Sequence, residues 1–290
     1  MYYNKLNSQR LLHEFILEAE NKFNSEYAES RRYEAELIIS HVLKINRIDI
    51  YTKTDLVISH TQKELINSYF ERRKLNEPIQ YILGEEYFRE LTLSVGPGVL
   101  IPRPETEELV EKALQLLNTN ECTMLDVGTG SGAIALSLAH ERSNSYVIGV
   151  DISNKALKYA SINKINNNII NVSFIKSNLC SCFGNNSFGL ITANLPYVTE
   201  NEYLTLDDDV KEFEPKLALT GGDDGLDLVR KLIPQAYEAL KNNGWILLEI
   251  GYMQGLATKK LLEYNYFTNT EIIKDFCDKD RIVIGQKIER

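Results

Sequence analysis

The sequence is poor in the residues that mark metal-bound, disulfide-bonded or disordered proteins. It has 4 cysteines and 4 histidines in 290 residues, with no Cys-x-x-Cys pair and no His-x-x-x-His pair. It also has only 7 prolines and 16 glycines, and no low-complexity tract, so its composition is not that of a disordered chain. We therefore expect a folded protein in a reducing compartment, without a disulfide framework or a metal site.

Positive charge is also scarce. The chain has 32 Lys and Arg against 41 Asp and Glu, a net charge of −9, and its pI is about 5.2. No diffuse positive field is available to attract phosphates, which disfavours a nucleic-acid partner. The basic clusters Arg31-Arg32 and Arg72–Lys74 lie in helical stretches and are expected to be solvated helix faces.

Long apolar runs are absent as well. The run Trp245–Leu248 is far too short to span a bilayer, and Met1–Lys5 lacks the apolar core of a signal peptide. We expect a cytoplasmic protein without membrane contact.

The first quarter of the chain has a helical pattern. Between Leu11 and Leu75, apolar residues recur at intervals of three and four positions, as in amphipathic helices. Thr61 is followed three positions later by Glu64, which is the spacing of a capping box and predicts the start of a third helix. Residues 1–76 are therefore predicted to form a small helical domain.

The next stretch, residues 77–100, has short alternating segments. Tyr81–Leu83 and Leu91–Val95 are separated by Gly84 and followed by Gly96–Gly98, which predicts a β-hairpin linker. Prolines on either side of Arg103 then favour an extended backbone followed by a helix start. A second domain is predicted over residues 101–290.

Strands and helices alternate from Thr123 onward, which predicts an α/β fold with a doubly wound, mostly parallel sheet. The turn Phe276–Asp280 is too short for a crossover helix, so the last two strands should pair antiparallel. Ligands of such a sheet bind at the carboxyl ends of the strands. The predicted strands are Met124–Val127, Tyr146–Asp151, Val172–Lys176, Leu190–Ala193, Trp245–Ile250, Phe267–Lys274 and Ile282–Gly285.

A glycine-rich turn follows the first of these strands. Gly128, Gly130 and Gly132 stand at alternate positions where an apolar strand gives way to a helix, and Asp151 ends the next strand. A dinucleotide site has the spacing G-x-G-x-x-G, whereas this loop has G-x-G-x-G and no Gly-Lys-Ser/Thr follows it for a triphosphate. The loop resembles the S-adenosylmethionine loop of class I methyltransferases.

A second motif, Asn-Leu-Pro-Tyr at Asn194–Tyr197, follows the fourth strand. It resembles the signature of methyltransferases that act on planar amino groups, namely adenine N6, cytosine N4 and the glutamine amide. The Asn194 oxygen and the Leu195 carbonyl can accept the two N–H bonds of such a group, which leaves its nitrogen facing a methyl donor. Tyr197 can stack on the planar group.

The segments Glu77–Glu85, Pro97–Glu107, Gly221–Leu226 and Asp280–Val283 extend the likeness over nearly the whole chain. Together they resemble the protein-(glutamine-N5) methyltransferases that modify class-1 peptide chain release factors. The resemblance implies methylation of the glutamine in the Gly-Gly-Gln motif, with S-adenosylmethionine as cofactor and the N-terminal helices gripping the protein substrate. It implies cofactor residues Gly128, Thr129, Gly130, Ser131, Gly132, Asp151, Leu179 and Asn194, catalytic residues Asn194, Pro196 and Tyr197, and substrate-binding residues Asn194, Leu195, Pro196 and Tyr197.

Two positions depart from the family pattern. Leu195 replaces a proline and gives the motif of ribosomal-RNA adenine dimethyltransferases, and Asn178 replaces an aspartate near the adenine. An adenine-N6 methyltransferase acting on RNA or DNA therefore stays open as an alternative, as does a binding protein that retains only the cofactor fold. Arg103 is a candidate for facing the site, whereas Asp207–Asp209 is expected to be a solvated loop.

Overall fold

The computed structural model describes residues 12–18, 21, 23, 28–53, 56–117 and 121–288. These residues fall into two compact units. The first runs to Gly84 and includes the segment Asp208–Phe213, and the second comprises Glu85–Asp207 and Glu214–Arg290. Within the described ranges, no helix is long and apolar enough to cross a membrane.

The first unit is helical. Helices α1 (Ala28–Leu43), α2 (Asp49–Thr52), α3 (His60–Lys74) and α4 (Ile79–Leu83) follow one another, and residues 12–18 are also helical. Their apolar faces form one core, in which Phe15 and Phe23 make edge-on ring contacts with Phe70. The predicted helical pattern is therefore confirmed where the structure describes it, although Leu11 lies outside the described residues.

The start of α3 differs from the prediction. Ser59, not Thr61, caps the helix: its hydroxyl accepts from the backbone N–H of Gln62, whose side chain accepts from the Ser59 N–H. This is a complete capping box two residues earlier than predicted. A Ser-x-x-Gln and a Thr-x-x-Glu pattern overlap here, and only the first one lies at the helix end.

The predicted hairpin is present, but its first strand was misplaced. Strands β1 (Glu85–Phe88) and β2 (Leu91–Ser94) pair antiparallel, whereas Tyr81–Leu83 belongs to helix α4. Gly84 ends that helix with a left-handed φ of 79°. The apolar run Tyr81–Leu83 is too short for its periodicity to separate helix from strand, so the error is one of local ambiguity.

The second unit contains a sheet of 7 strands in the order β5-β4-β3-β6-β7-β9-β8. Strands β3 to β7 run parallel, and β9 is antiparallel to both of its neighbours, as the short turn before it predicts. The strands are β3 (Thr123–Val127), β4 (Tyr146–Asp151), β5 (Val172–Lys176), β6 (Phe188–Asn194), β7 (Leu240–Glu249), β8 (Phe267–Lys274) and β9 (Asp280–Lys287).

Helices cover both faces of this sheet because its strands are apolar on both faces. Met124 packs on the side of α5 (Glu105–Leu117) and α6 (Ala133–Glu141), and its neighbour Leu125 packs on the side of α10 (Asp227–Ala239). Successive residues of a strand point to opposite faces, so one short run supplies both cores. The remaining helices of the second unit are α7 (Asn154–Asn166), α8 (Glu200–Leu204) and α11 (Gly255–Tyr264), with a 3-10 turn at Lys216–Ala218, whereas α9 (Asp208–Phe213) belongs to the first unit.

Candidate active site

The glycine loop leaves β3 and crosses toward the end of β4. The backbone N–H groups of Gly128 and Thr129 both donate to the Val150 carbonyl at 2.9 Å. Gly128, Gly130 and Gly132 have φ values of 73°, 56° and 86°, a region that side chains disfavour. The sequence keeps glycine at alternate positions because the loop bends through left-handed conformations.

These glycines have different surroundings. A Cβ on Gly130 would make only ordinary van der Waals contacts, 3.9 Å from the Gly128 carbonyl oxygen and 4.0 Å from Val99, and Gly130 lines a cavity. A Cβ on Gly132 would lie 3.0 to 3.2 Å from Leu136, Phe174 and Ala160. Gly130 therefore keeps the cavity open, whereas Gly132 allows the start of α6 to pack closely on the sheet.

Asp151 ends β4 beside this loop. Its Oδ2 accepts from the Gly130 N–H at 3.0 Å and its Oδ1 accepts from the Ser153 N–H at 2.8 Å. Both carboxylate oxygens keep further lone pairs, and Asp151 lines the same cavity. The carboxylate is thus fixed in place by backbone groups and can still accept bonds from ligand hydroxyls.

The cavity lies at the carboxyl ends of β3, β4 and β6. Leu179 lines it with a left-handed φ of 55°, and its carbonyl accepts from the Ser177 hydroxyl at 3.0 Å. The lining brings together most of the predicted site residues, but neither Gly132 nor Tyr197 is part of it. The lining includes Gly98, Val99, Arg103, Thr106, Gly128, Thr129, Gly130, Ser131, Asp151, Asn178, Leu179, Asn194, Leu195 and Pro196.

The Asn-Leu-Pro-Tyr motif leaves β6 next to the glycine loop. The Asn194 side-chain nitrogen donates to the Thr106 hydroxyl oxygen at 3.1 Å, which leaves the amide oxygen available to a ligand. Leu195 is buried, and a Cβ on Gly128 would lie only 3.0 Å from its side chain. The motif and the glycine loop are therefore packed against each other.

Tyr197 is the last residue of this motif and is not part of the cavity lining. Burial, reinforced by the negative charge of Glu249, raises the pKa of its phenol to about 12. The hydroxyl is neutral at physiological pH. At that pH a neutral phenol carries no negative charge into the site.

Two buried acids near the cavity were not predicted to have a role. Glu249 ends β7 with 2% of its surface exposed, and burial raises its pKa to about 7. Asp126, inside β3, is fully buried and accepts from the Thr192 hydroxyl at 3.0 Å, and burial raises its pKa to about 6. A carboxylate within an apolar strand, as at Trp245–Ile250, is the sequence signal that could have identified Glu249.

Arg103 does line the cavity, as its position suggested. It pairs with Glu214, which is almost fully buried and also accepts from the Ile101 N–H at 3.0 Å. The ion pair joins the segment before α5 to the segment before the 3-10 turn. Of the acidic run that was expected to be a solvated loop, Asp207 and Asp208 are exposed, but Asp208 and Asp209 form the start of helix α9.

The loop Gly221–Gly225 contacts the backbone of the Asn-Leu-Pro-Tyr motif. Gln254 donates to the carbonyls of Tyr197 and Asp224 at 2.9 and 3.0 Å and accepts from the Gly251 N–H at 2.9 Å. A Cβ on Gly225 would lie 2.1 Å from the Tyr197 carbonyl oxygen. Gly225 therefore allows two backbone segments to touch.

We expect Gly225→Ala to lower the free energy of unfolding by about 2 kcal/mol or more, since φ at this position is 73° and the added carbon meets backbone. Urea denaturation measures the change. Gly184→Ala is the matched control, because a Cβ there meets nothing within 4 Å. Equal stability of the two variants would contradict the close approach.

The residues that line the cavity match the chemical groups of S-adenosylmethionine. The lack of a side chain at Gly130 allows a ligand in the cavity to approach the backbone, and the fixed carboxylate of Asp151 can accept from ribose hydroxyls. Leu179 and Val99 offer apolar surface for a purine ring. Asp151 also supplies negative charge beside a ligand that carries a sulfonium.

Comparison with known proteins agrees with this geometry. A family model described as the PrmC N-terminal domain matches residues 14–84, and one described as a methyltransferase domain matches residues 118–287. Release factor glutamine methyltransferase of Thermodesulfovibrio yellowstonii is 43% identical over 94% of this chain and 96% of its own length. The protein of that name from Escherichia coli is 35% identical over 89% of this chain and 93% of its own length.

Solved structures support the fold. The 16S rRNA N2 G1207 methyltransferase of Thermus thermophilus superimposes with a TM-score of 0.52 at 18% identity, covering 70% of this chain and 49% of the other. A methyltransferase from Pyrococcus furiosus gives 0.50 at 20% identity, covering 69% and 91%. The predicted class I methyltransferase fold is confirmed. The chain belongs to the family of release factor glutamine methyltransferases and is an S-adenosylmethionine-dependent enzyme.

Proposed function

We propose that this enzyme methylates the side-chain amide nitrogen, N5, of the glutamine in the Gly-Gly-Gln motif of class-1 peptide chain release factors. The observation that carries the proposal is the Asn194 side chain at the cavity: its nitrogen is engaged by Thr106 and its oxygen is left for a ligand N–H. The names of the two relatives, which share 43% and 35% identity with the chain, support the same substrate.

An amide nitrogen is a poor nucleophile because its lone pair is delocalised into the carbonyl. The Asn194 oxygen and the Leu195 carbonyl accept hydrogen bonds from the two N–H groups of the amide. These bonds hold the nitrogen in place and polarise its N–H bonds. S-adenosylmethionine supplies an electrophilic methyl group on sulfur. With the target nitrogen held by Asn194 and the Leu195 carbonyl, the methyl group would pass from sulfur to nitrogen and leave a neutral thioether. The nitrogen would release one proton to solvent, so no strong base is needed.

The cofactor is assigned to the loop and strand ends. Gly128–Gly132 and Asp151 hold its ribose and amino-acid portions, Leu179 flanks its adenine, and Asn194 lies where cofactor and target meet. Pro196 and Tyr197 shape the target site, with Tyr197 as a neutral aromatic.

We assign substrate recognition to a helical domain over residues 1–76, followed by a hairpin linker over 77–100 and the catalytic domain over 101–290. The hairpin β1–β2 and the separate helical unit support a division of this kind, with the helical unit extending to Gly84 and so including the first part of the proposed linker. The release factor is the partner proposed for the helical domain.

The test is methyl transfer from labelled S-adenosylmethionine to a purified class-1 release factor. The matched control is the same factor with Gln→Ala in its Gly-Gly-Gln motif, with undermethylated ribosomal RNA as a second substrate. We expect label on the first factor and none on the variant. Label on the RNA alone would contradict the proposal and favour adenine-N6 methylation, which the Asn-Leu-Pro-Tyr motif permits.

A further inference from the structure

Glu249 lies directly beside the Asn-Leu-Pro-Tyr motif without reaching the cavity. It is the last residue of β7 and is paired in register with Asn194, the last residue of β6. Its side chain is 2% exposed and is not part of the cavity lining. Its Oε2 has no hydrogen-bond partner among the residues that the structure describes. A buried carboxylate at this position is costly, so it calls for an explanation.

The donors that face this carboxylate are the hydroxyl of Thr106 and the amide of Asn194. Thr106 is itself 4% exposed, and its oxygen already accepts from the Asn194 side-chain nitrogen at 3.1 Å. The charged or titratable neighbours are Arg281 on β9, Glu105 at the start of α5, and Tyr197. Arg281 is bound to Asp275 at 3.1 Å, so its charge is held in place.

The direction of these bonds follows from the chemistry of the groups. An ionised carboxylate only accepts, so a hydroxyl that bonds to it must donate its single hydrogen. The Thr106 oxygen then accepts, and only the NH2 side of the Asn194 amide can donate to it. In the reverse direction Asn194 would present its NH2 group to the target nitrogen, and two donors would face each other.

We propose that Glu249 is a positioning residue that, through Thr106, locks the Asn194 side-chain amide with its oxygen toward the substrate. The assignment rests on the proposed amide or amino substrate, because only such a group needs an acceptor there. Glu249 acts through Asn194 and does not touch the reacting atoms.

Protonation of Glu249 removes this restraint on the orientation of the Asn194 amide. A carboxylic acid can donate to Thr106, whose hydroxyl can then donate to the Asn194 oxygen, so both amide orientations become possible. Since burial raises the pKa of Glu249 to about 7, methyl transfer should rise with pH as this group ionises. Glu249→Gln carries an amide that can also donate. This change removes both the fixed orientation of the Asn194 amide and its dependence on pH.

The first experiment observes the amide without any substrate. Selective 15N-Asn labelling gives the side-chain NH2 signal of Asn194, identified by its loss in Asn194→Ala. In the wild-type enzyme the signal should shift between about pH 5.5 and 8.5 with a midpoint near the Glu249 value of about 7. In Glu249→Gln it should not titrate. A constant wild-type signal, or the same titration in the variant, would overturn the proposal.

The second experiment measures methyl transfer against pH. At the pH optimum, Glu249→Gln should lower kcat on the order of tenfold, change the Kd for S-adenosylmethionine less than about threefold, and abolish the acid limb near pH 7. Glu249→Asp restores a carboxylate and should recover part of the loss. Thr106→Val should behave like Glu249→Gln, whereas Thr106→Ser, which keeps the hydroxyl, should lose less than about threefold.

Stability separates positioning from simple structural support. Because the folded-state pKa of Glu249 is raised, its ionisation destabilises the fold as pH rises from the unfolded value of about 4.5 through about 7. At about pH 8 the melting temperature of Glu249→Gln should therefore be no lower than that of the wild type, although the variant loses activity. Glu263→Gln, on the exposed part of α11, should change neither property.

Failure of the two proposals can be told apart. If the wild-type enzyme labels no release factor but the Asn194 signal titrates only when Glu249 is present, the proposed substrate is wrong and the positioning role of Glu249 is supported. If release factor is labelled and Glu249→Gln keeps the wild-type kcat and acid limb, the proposed substrate is supported and the positioning role of Glu249 is wrong.

Discussion

Asn194→Ala is expected to reduce methyl transfer on the order of 10²- to 10³-fold at saturating cofactor and substrate. The change removes the side-chain oxygen proposed to accept one of the two N–H bonds of the target amide. The Leu195 carbonyl remains, so the target can still enter, but its nitrogen is no longer held facing the methyl donor. Loss of orientation lowers the rate of the chemical step much more than it lowers binding.

Cofactor binding should survive this change within about threefold, measured by calorimetry with S-adenosylmethionine. The glycine loop is held by the bonds of Gly128 and Thr129 to the Val150 carbonyl, and Asp151 is held by Gly130 and Ser153. None of these contacts uses Asn194. Asn166→Ala, on the exposed side of α7, is the matched control for a lost asparagine. Undiminished methyl transfer by Asn194→Ala would show that another group holds the target.

The sheet was predictable from the sequence because each strand carries its own signal. The bounds of β4, β5 and β8 were predicted to the residue, since turns containing Ser, Asn or Asp flank these runs. The position of the glycine loop and of Asn194 at one sheet edge also followed, because parallel strands bring their carboxyl ends together. Local pattern and topology are sufficient for these features.

Features that depend on distant partners were not predictable. Thr106 lies at the start of α5, and its hydroxyl contacts Asn194, which lies far along the chain. Glu249 was read as part of an apolar strand. Nothing in a local window shows that both side chains meet behind Asn194, because register between β6 and β7 determines that contact.

Leu195 illustrates a substitution that only the packing explains. Leucine at this position keeps the backbone carbonyl as an acceptor and lacks the rigid ring of proline. In the structure the leucine side chain is buried, 3.0 Å from where a Cβ on Gly128 would stand. Burial against the glycine loop restrains this residue by contacts instead of by a ring.

Asp151→Ala is expected to raise the Kd for S-adenosylmethionine on the order of 10²-fold. Hydrogen bonds to a charged acceptor contribute about 1.5 to 3 kcal/mol each, and a ribose offers two hydroxyls. Asp151→Asn keeps one acceptor oxygen and should have an intermediate effect. Asp207→Ala, which removes an exposed carboxylate, is the control and should leave the Kd unchanged within error.

The kinetic pattern separates the role of Asp151 from that of Asn194. Asp151 lies at the end of β4 and is proposed to hold the ribose, so its contacts are the same before and during methyl transfer. Its loss should raise the KM for the cofactor while kcat at saturation stays within about threefold. Asn194→Ala should show the opposite pattern, a large loss of kcat with little change in cofactor affinity. A large fall in kcat for Asp151→Ala at saturating cofactor, with its melting temperature preserved, would instead mean that this carboxylate shapes the glycine loop through Gly130 and thereby positions the methyl donor.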